Sequence, residues 1–166
     1  MALHVRSSLT RDDVEKGIAV GDYRNDDNDS YWINHMELGR IGFFRLEDLT
    51  DLAPVFDLRL AETMRGRRLG LDDLRAATDF VFTSLSAVNR FEGHTREDNI
   101  AMRKTFVRTG WVQEAHYREG WPVEVQRPLA SVAYATLRKD WLTGTATPVP
   151  WNDLDLTPSE RRCLGS

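Results

Sequence analysis

The residues best suited to chemistry lie between positions 55 and 85, where a strand pattern, a basic loop and a helix pattern follow one another. Loop N–H groups and the exposed amides of a helix N-terminus converge on one point, and such an arrangement binds anions. Gly66 and Gly70 permit close backbone approach, and the loop carries three arginines, Arg65, Arg67 and Arg68. The segment therefore predicts a site for a pyrophosphate.

Two familiar phosphate-binding motifs are absent from the chain. It contains neither GxxxxGK[ST] nor GxGxxG, and it lacks the parallel βαβ repeat that accompanies the second motif. An arginine run before a helix also occurs as a simple solvated turn. Residues 65–70 alone therefore leave both interpretations open.

The strand at 55–61 and the helix after the loop determine where the basic residues lie. Phe56, Leu58 and Leu60 alternate with Asp57 and Arg59, so one face of the strand is apolar and the other is charged. The next segment changes to spacings of three and four, which predicts a helix. Its apolar-stripe residues are Leu71, Leu74, Thr78, Val81, Phe82 and Leu85.

The remaining patterns predict a mixed α/β domain on a largely antiparallel sheet. Besides the strand at 55–61, strands are expected at 3–8, 31–36, 40–46, 88–94, 111–118 and 131–138. Thr10 is expected to cap an N-terminal helix with Val14, Ile18 and Ala19 as its apolar stripe. A third helix is expected from Asn99 to Gly110. We predict one domain over residues 1–142 and an irregular tail over 143–166.

The bulk composition excludes several classes of protein. The chain has 166 residues and a net charge of −4, without the basic footprint of a nucleic-acid-binding protein. No stretch reaches the roughly 20 apolar residues of a membrane span, and no signal-peptide core is visible, so a cytoplasmic location is expected. The single cysteine, Cys163, lies away from the motifs and is expected to be a simple tail thiol.

Two segments together resemble the GNAT superfamily of N-acetyltransferases. Arg65 to Gly70 (RGRRLG) is similar to the GNAT cofactor loop [Q/R]xxGx[G/A], although Arg68 stands where the pattern has glycine. Residues 92–111 (EGHTREDNIAMRKTFVRTGW) resemble the fifth strand and fourth helix of the RimJ/RimL-like branch. The resemblance covers about residues 31–141.

The resemblance implies a GNAT-type α/β (α+β) fold, a mostly antiparallel mixed sheet flanked by helices and splayed in the middle to admit the pantetheine of acetyl-CoA. It implies that the backbone of Leu58, Arg59 and Leu60 pairs with the pantetheine, and that an N–H near Leu60 stabilises the oxyanion. The other implied cofactor contacts are Arg65, Gly66, Arg67, Arg68, Leu69, Gly70, Asn99 and Arg103. Asn99 is also suited to a plain helix cap, and Arg103 to a solvated surface position.

Proton transfer is the least determined part of the prediction. Asp57 is the first candidate for the base that deprotonates the amine, with Glu92 and Glu62 behind it, and the alternative role of Asp57 is an ion pair with Arg59 or a neighbour. Met102 and Phe106 stand where relatives have a serine and a tyrosine. Tyr117 or a water is therefore left as the proton donor to the thiolate, unless Tyr117 is a packing residue.

The function expected from the sequence is acetyl transfer from acetyl-CoA to a primary amine, by direct attack on the thioester and without a metal. A small-molecule acceptor is favoured because no peptide-docking module is visible. The alternatives are a silent CoA-binding regulatory module, a longer acyl donor, and a protein N-terminal or lysine acetyltransferase. Neither nucleic acid nor membrane is expected as a partner, and a homodimer through the last strands and the tail is a further expectation.

Overall fold

A computed structural model describes residues 10–123 and 127–151. The predicted strand at 3–8, Cys163 and most of the predicted tail lie outside these residues. The elements in chain order are α1 (Arg11–Ala19), β1 (Asp29–His35), β2 (Gly39–Glu47), β3 (Val55–Leu60), a 3₁₀ turn (Glu62–Met64), α2 (Leu69–Ser84), β4 (Arg90–Arg96), α3 (Ile100–Arg108), β5 (Val112–Trp121), β6 (Leu129–Leu137) and α4 (Arg138–Thr143). Among the described helices, none is long and apolar enough to span a membrane.

The six strands form one mixed sheet in the order β1-β2-β3-β4-β6-β5. Every neighbouring pair is antiparallel except β3 and β4, which are parallel. The parallel pair is required because α2 crosses between these two strands and returns the chain to the same end of the sheet. The predicted mixed, mostly antiparallel α/β architecture is confirmed.

Helices α2 and α3 pack on the same face of the sheet. The core there contains Leu74, Val81 and Phe82 from α2 and Phe106 from α3. Gly93 of β4 is required by this packing, because a Cβ at that position would lie 2.6 Å from the rings of both Phe106 and Phe56. Helix packing on this face leaves the opposite face of the sheet to carry the charged side chains of β3 and β4.

The N-terminal helix begins as predicted but packs differently. Thr10 and Asp13 form a reciprocal capping box at the start of α1. The predicted apolar stripe is wrong, because Gly17 is the only buried residue of the helix and Ile18 is 64% exposed. Tyr23 packs against Gly17, where an added Cβ would lie 2.7 Å from its ring, so the contact is made through the glycine instead.

The C-terminal region also differs from the prediction in its detail. Residues 138–143 form the short helix α4, which was not predicted and lies between the end of the predicted strand at 138 and the start of the predicted tail at 143. Asp140 is buried and accepts hydrogen bonds from the Thr147 hydroxyl at 2.6 Å and the Thr147 N–H at 3.0 Å. These contacts fix the described part of the tail against α4.

Candidate active site

The central feature of the site is a gap between the parallel strands β3 and β4. The strands pair only at Val55 with Glu92 and at Phe56 with Gly93. Beyond Phe56 the rest of β3 stays paired with β2, through Leu60, while the rest of β4 stays paired with β6. The two halves of the sheet therefore separate at Phe56 and leave an opening between them.

Two hydrogen bonds fix the direction of the β3 backbone groups. The Ala61 N–H donates to the Ile41 carbonyl beside β2 at 2.9 Å. The Pro54 carbonyl accepts from the Glu92 N–H of β4 at 3.1 Å. Because backbone direction alternates along a strand, even-numbered residues of β3 face β4 and odd-numbered residues face β2.

Leu58 and Leu60 therefore direct their N–H and C=O groups into the gap, where none of the described strands pairs with them. The backbone of Arg59 faces β2 instead, so of the three predicted backbone contacts only Leu58 and Leu60 lie open to the gap. The Leu60 carbonyl accepts a hydrogen bond from Nε of Arg65 at 3.3 Å, which brings the basic loop to the end of the gap.

The basic loop leads directly into the N-terminus of α2. Gly66 has φ of +75°, and Arg68, the residue that precedes the helix, has φ of +66°. Within the described residues no side chain caps this end, so the first amides of α2 remain open to an anion. A Cβ on Gly70 would meet only the Thr105 hydroxyl oxygen, at 3.9 Å, so the surface beside these amides is clear. The side chains of Arg65, Arg67 and Arg68 are exposed around it.

Asn99 and Arg103 both make contacts within the protein. The Asn99 side chain accepts from the Met102 N–H at 3.2 Å, which caps α3, and donates to the Thr95 hydroxyl at 3.0 Å. Arg103 donates to the Glu97 carbonyl at 2.8 Å and lines a cavity of about 420 Å³ between α3 and strands β5 and β6. Arg103 thus lies on the helix face of the sheet.

The opposite face carries a charged network that borders the gap. Asp57 is paired with Arg59 of the same strand, with the Arg59 Nη2 2.7 Å from its carboxylate. Glu92 of β4 is paired with Nε of Arg90 at 2.6 Å, and Nη1 of Arg90 also reaches Glu114 at 2.5 Å. The carboxylate of Asp57, the first candidate for the base, is thus paired with Arg59. Glu92 belongs to an ion-pair network centred on Arg90.

His94 is the functional candidate that the sequence analysis missed. It follows the last β3–β4 pair directly and lies on the same face as Glu92, with its side chain only 6% exposed. Neither ring nitrogen makes a well-aligned hydrogen bond in the described part of the chain, although Nε2 lies 3.5 Å from the Glu92 carboxylate, at the limit of hydrogen-bond distance. The His94 imidazole, followed by Arg90, holds the pKa of Glu92 below its usual value, against the opposing effect of burial.

Tyr117, the predicted proton donor, lies on β5 beside His94. The two rings are parallel within 8° and their centroids are 6.1 Å apart. Tyr117 is 52% exposed, so it is a surface residue and not part of the core. On α3, Phe106 is fully buried and stacks on Tyr134, which gives this position a packing role. Glu62, the weaker base candidate, begins the 3₁₀ turn after β3.

Comparison with known proteins gives a fold but no sequence relative. No family model matches the chain, and none of the curated proteins matches it. The solved structures that it resembles include spermidine N-acetyltransferase from Vibrio cholerae in complex with CoA and spermine, with a TM-score of 0.72, 17% identity, and 81% of this chain and 79% of that chain covered. The chain has the fold of GNAT N-acetyltransferases.

Two further structures of the Vibrio cholerae enzyme show the same fold. A dodecameric form in an intermediate state has a TM-score of 0.71 at 17% identity, covering 81% of this chain and 78% of that chain. A spermidine/spermine N-acetyltransferase complex with manganese ions has a TM-score of 0.71 at 17% identity, with 81% and 79% covered. At this identity the GNAT likeness establishes the fold alone, and it leaves the RimJ/RimL-like branch a prediction. No group of three or more metal-ligating side chains is found within residues 10–123 and 127–151.

Proposed function

We propose that the protein is an acetyl-CoA-dependent N-acetyltransferase that acts on a primary amine of a small molecule. The observation that carries the proposal is the gap between β3 and β4, which runs from the charged face of the sheet towards the open amides of α2. An extended thioester fits such a gap, because a strand-like chain can use the backbone groups that the missing strand contacts leave free. The fold shared with N-acetyltransferases supports this assignment.

The residues of the chain match the chemistry of each part of acetyl-CoA. The open amides of Leu69 and Gly70 and the guanidinium groups of the loop suit a pyrophosphate. The N–H of Leu60, the open position nearer the basic loop, suits an amide of pantetheine. The N–H of Leu58, nearer the point where the strands separate, suits the thioester oxygen, so the oxyanion contact expected near Leu60 is proposed for Leu58. One such donor contributes a few kcal/mol to the stabilisation of an oxyanion.

Direct transfer to an amine requires little beyond this framework and a proton acceptor. The attacking nitrogen must be neutral, and a lysine-type amine with a pKa of about 10.4 is mostly protonated at neutral pH. Carboxylates on the charged face, including Asp57 and Glu92, attract a cationic amine to the mouth of the gap. The arginines paired with these carboxylates neutralise much of their charge. A small mono-amine is therefore as suitable an acceptor as a polyamine.

The proposal is tested by acetyl-CoA binding and by turnover. Binding is measured by calorimetry, and turnover by release of free thiol with butylamine, glucosamine, spermidine and a short peptide with a free α-amine. We expect micromolar binding and thiol release with at least one of the three small amines. Turnover with the peptide alone would move the assignment to a protein acetyltransferase. Failure of a folded protein to bind acetyl-CoA would refute the proposal.

Gly70 offers a sharp test of the pyrophosphate site. Aspartate at this position, in the first turn of α2, suits the helix dipole, and its Cβ would meet only Thr105, at 3.9 Å, so Gly70→Asp should fold normally. Its carboxylate would repel a phosphate, and we expect acetyl-CoA to bind at least about tenfold more weakly, equivalent to about 1.4 kcal/mol. Gly70→Ala is the matched control, because it adds the Cβ without the charge. Equal binding by Gly70→Asp and Gly70→Ala would place the phosphates elsewhere.

Two observations favour a second candidate, the silent CoA-binding module. The buried Phe106 provides no hydroxyl on α3 and Arg59 occupies the Asp57 carboxylate, so familiar acid and base groups are missing or paired. In that case the protein would bind acetyl-CoA and release no thiol with any of the four amines. The same two measurements therefore distinguish an enzyme from a sensor.

A further inference from the structure

The imidazole of His94 is an unusual buried polar group in the described part of the chain. Both of its nitrogens are covered and lack a hydrogen-bond partner among the described residues. Folded proteins rarely leave buried polar atoms without a partner, and the exceptions concentrate where a ligand, a water or a catalytic proton completes the contact. His94 also stands at the point where β3 and β4 separate, which is where the proposed thioester would meet an amine.

We propose that His94 is the catalytic base that takes the proton from the attacking amine, and that Glu92 stabilises the resulting imidazolium. The proposal rests on the N-acetyltransferase function proposed above. Glu92 lies 3.5 Å from Nε2 of His94, and Arg90 holds its carboxylate in place at 2.6 Å. An anion at this distance stabilises a cationic ring in a partly buried setting, and Nδ1 is left for the amine.

The competing candidate, Asp57, is less suited to this role. Its carboxylate is already held by Arg59, and accepting a proton would break a charged pair. His94 has no pair to lose and gains one, because protonation turns its contact with Glu92 into an ion pair. The difference favours the histidine as proton acceptor.

The proton inventory of the step is balanced by this assignment. His94 removes one proton from the ammonium ion, and the neutral nitrogen then forms a C–N bond with the thioester carbon. The C–S bond breaks, the thiolate leaves and takes a second proton from the nitrogen, and the third remains on the product amide. The imidazolium returns its proton to water before the next turnover.

The charged and titratable groups around His94 come from three strands. Glu92 and, behind it, Arg90 belong to β4, and Tyr117 of β5 lies parallel to the ring. Across the gap, Asp57 of β3 lies on the same face of the sheet. Both ring nitrogens are covered, so the assignment requires a neighbouring side chain to move when the amine binds. Tyr117, the half-exposed ring parallel to His94, is the side chain that we infer moves.

The proposal is tested with His94→Ala and with His116→Ala as the matched control. His116 is the neighbouring histidine on β5, and its Nε2 lies 3.7 Å from Glu97. With acetyl-CoA and the best of the four amines, we expect His94→Ala to lower kcat by roughly 100- to 10,000-fold. We expect acetyl-CoA affinity within about twofold of the wild type, and added imidazole should restore part of the rate. His116→Ala should keep the wild-type kcat.

A conservative variant separates proton transfer from a structural role. His94→Gln keeps a polar side chain of similar size but cannot accept a proton, so it should stay folded and slow. If His94→Ala or His94→Gln turns over within about fivefold of the wild type, the assignment of His94 is wrong while the proposed function stands. If His94→Ala loses both its rate and its affinity for acetyl-CoA, and imidazole does not restore the rate, the role of His94 is structural and the catalytic assignment is wrong. A wild type that binds acetyl-CoA but acetylates none of the amines would overturn the proposed function and this assignment with it.

Discussion

Arg68 adopts a backbone conformation that glycine tolerates better than any other residue. Its φ of +66° is in the left-handed region, and its side chain is exposed at the start of α2. A residue with a Cβ is disfavoured in this region by roughly 1–2 kcal/mol relative to glycine. Glycine gives back part of this advantage because its unfolded chain has more conformational freedom to lose on folding. We therefore expect Arg68→Gly to raise the free energy of unfolding by about 1 kcal/mol, measured by urea denaturation.

Glu119→Gly is the control for this prediction. Glu119 has φ of +56° on β5, away from the proposed cofactor loop, and should give a gain in stability of similar size. If acetyl-CoA affinity also changes in Arg68→Gly but not in Glu119→Gly, the Arg68 side chain or the loop shape acts on the ligand directly. A less stable Arg68→Gly would show that the arginine makes contacts which outweigh the backbone strain.

Asp73 has a carboxylate oxygen that is buried without a compensating hydrogen bond in the described structure. It lies on α2 beside an apolar cavity of about 200 Å³, and its Oδ2 is buried without a hydrogen-bond partner in the described structure. Burial, and secondarily the nearby Asp72, raises the pKa of Asp73 above its usual value. A raised folded-state pKa contributes stability below the unfolded value, about 3.8, and that contribution is lost as the pH rises.

We expect Asp73→Asn to be more stable than the wild type at pH 7, with the difference shrinking towards pH 3. The asparagine carries no charge at either pH, whereas the wild-type carboxylate is neutral only in acid. Urea denaturation at the two pH values measures the change. The matched variant Asp72→Asn changes a side chain that is 83% exposed and removes only the smaller of the two causes, so it should show a smaller gain. A pH-independent difference would mean that packing, not ionisation, separates Asp73→Asn from the wild type.

At the scale of elements, β3 is a strand with two different edges. The backbone of Asp57 and Arg59 faces β2, while that of Leu58 and Leu60 faces the gap. Amide hydrogens exchange slowly when they are held by a neighbouring strand and rapidly when they are open to water. We expect the Leu58 and Leu60 amides to exchange faster than those of Asp57 and Arg59 in the free protein, as measured by hydrogen exchange with NMR detection.

Acetyl-CoA should reverse this difference. A ligand that pairs with the open edge of β3 would protect Leu58 and Leu60 and leave the amides facing β2 unchanged. The comparison is internal, because all four amides belong to the same strand. Protection confined to the start of α2, with none in β3, would mean that the nucleotide part binds without the pantetheine entering the gap.

At the scale of the whole molecule, the sequence predicted the sheet and both packed helices but not the contacts between distant segments. Alternation placed Phe56 on the apolar face correctly, because a half-buried strand must alternate. The α1 stripe containing Ile18 was wrong, since a helical pattern does not reveal whether another element covers it. Helix α4 was missed because six residues carry too weak a periodicity to be distinguished from the end of a strand.

The site was predictable where the backbone defines it and less so where side chains do. The glycine-containing loop follows from local order along the chain, and the opening in the sheet was expected from the resemblance to the GNAT superfamily. The backbone of Arg59 faces β2 because of the register in which β3 pairs with β2, and a single sequence does not show that register. His94 was missed because its importance comes from burial without a hydrogen-bond partner, which a sequence does not show. The available signal was its alternation with Gly93 and Thr95 in β4, which puts it on the same face of the sheet as Glu92.

Arg138 ties distant parts of the chain together and provides the last prediction. Its Nε donates to the Val88 carbonyl at 2.8 Å, and its two Nη groups donate to the carbonyls of Phe82 and Leu85 at 2.6 and 2.7 Å. The guanidinium also lies 5.0 Å from the centre of the Phe82 ring. One side chain at the start of α4 thus satisfies the end of α2 and the loop before β4.

We expect Arg138→Met to lower the free energy of unfolding by about 3 kcal/mol, because three charge-assisted hydrogen bonds are lost and partly buried carbonyls keep no donor. The methionine replaces the apolar stem of the arginine and keeps much of its contact, so the effect reports mainly the loss of the polar contacts. Arg96→Met is the control: Arg96 is an exposed β4 residue paired only with Asp98 in the described structure, and its loss should change stability by less than about 1 kcal/mol. Urea denaturation compares the two variants, and equal effects would mean that the three bonds add nothing beyond a surface ion pair.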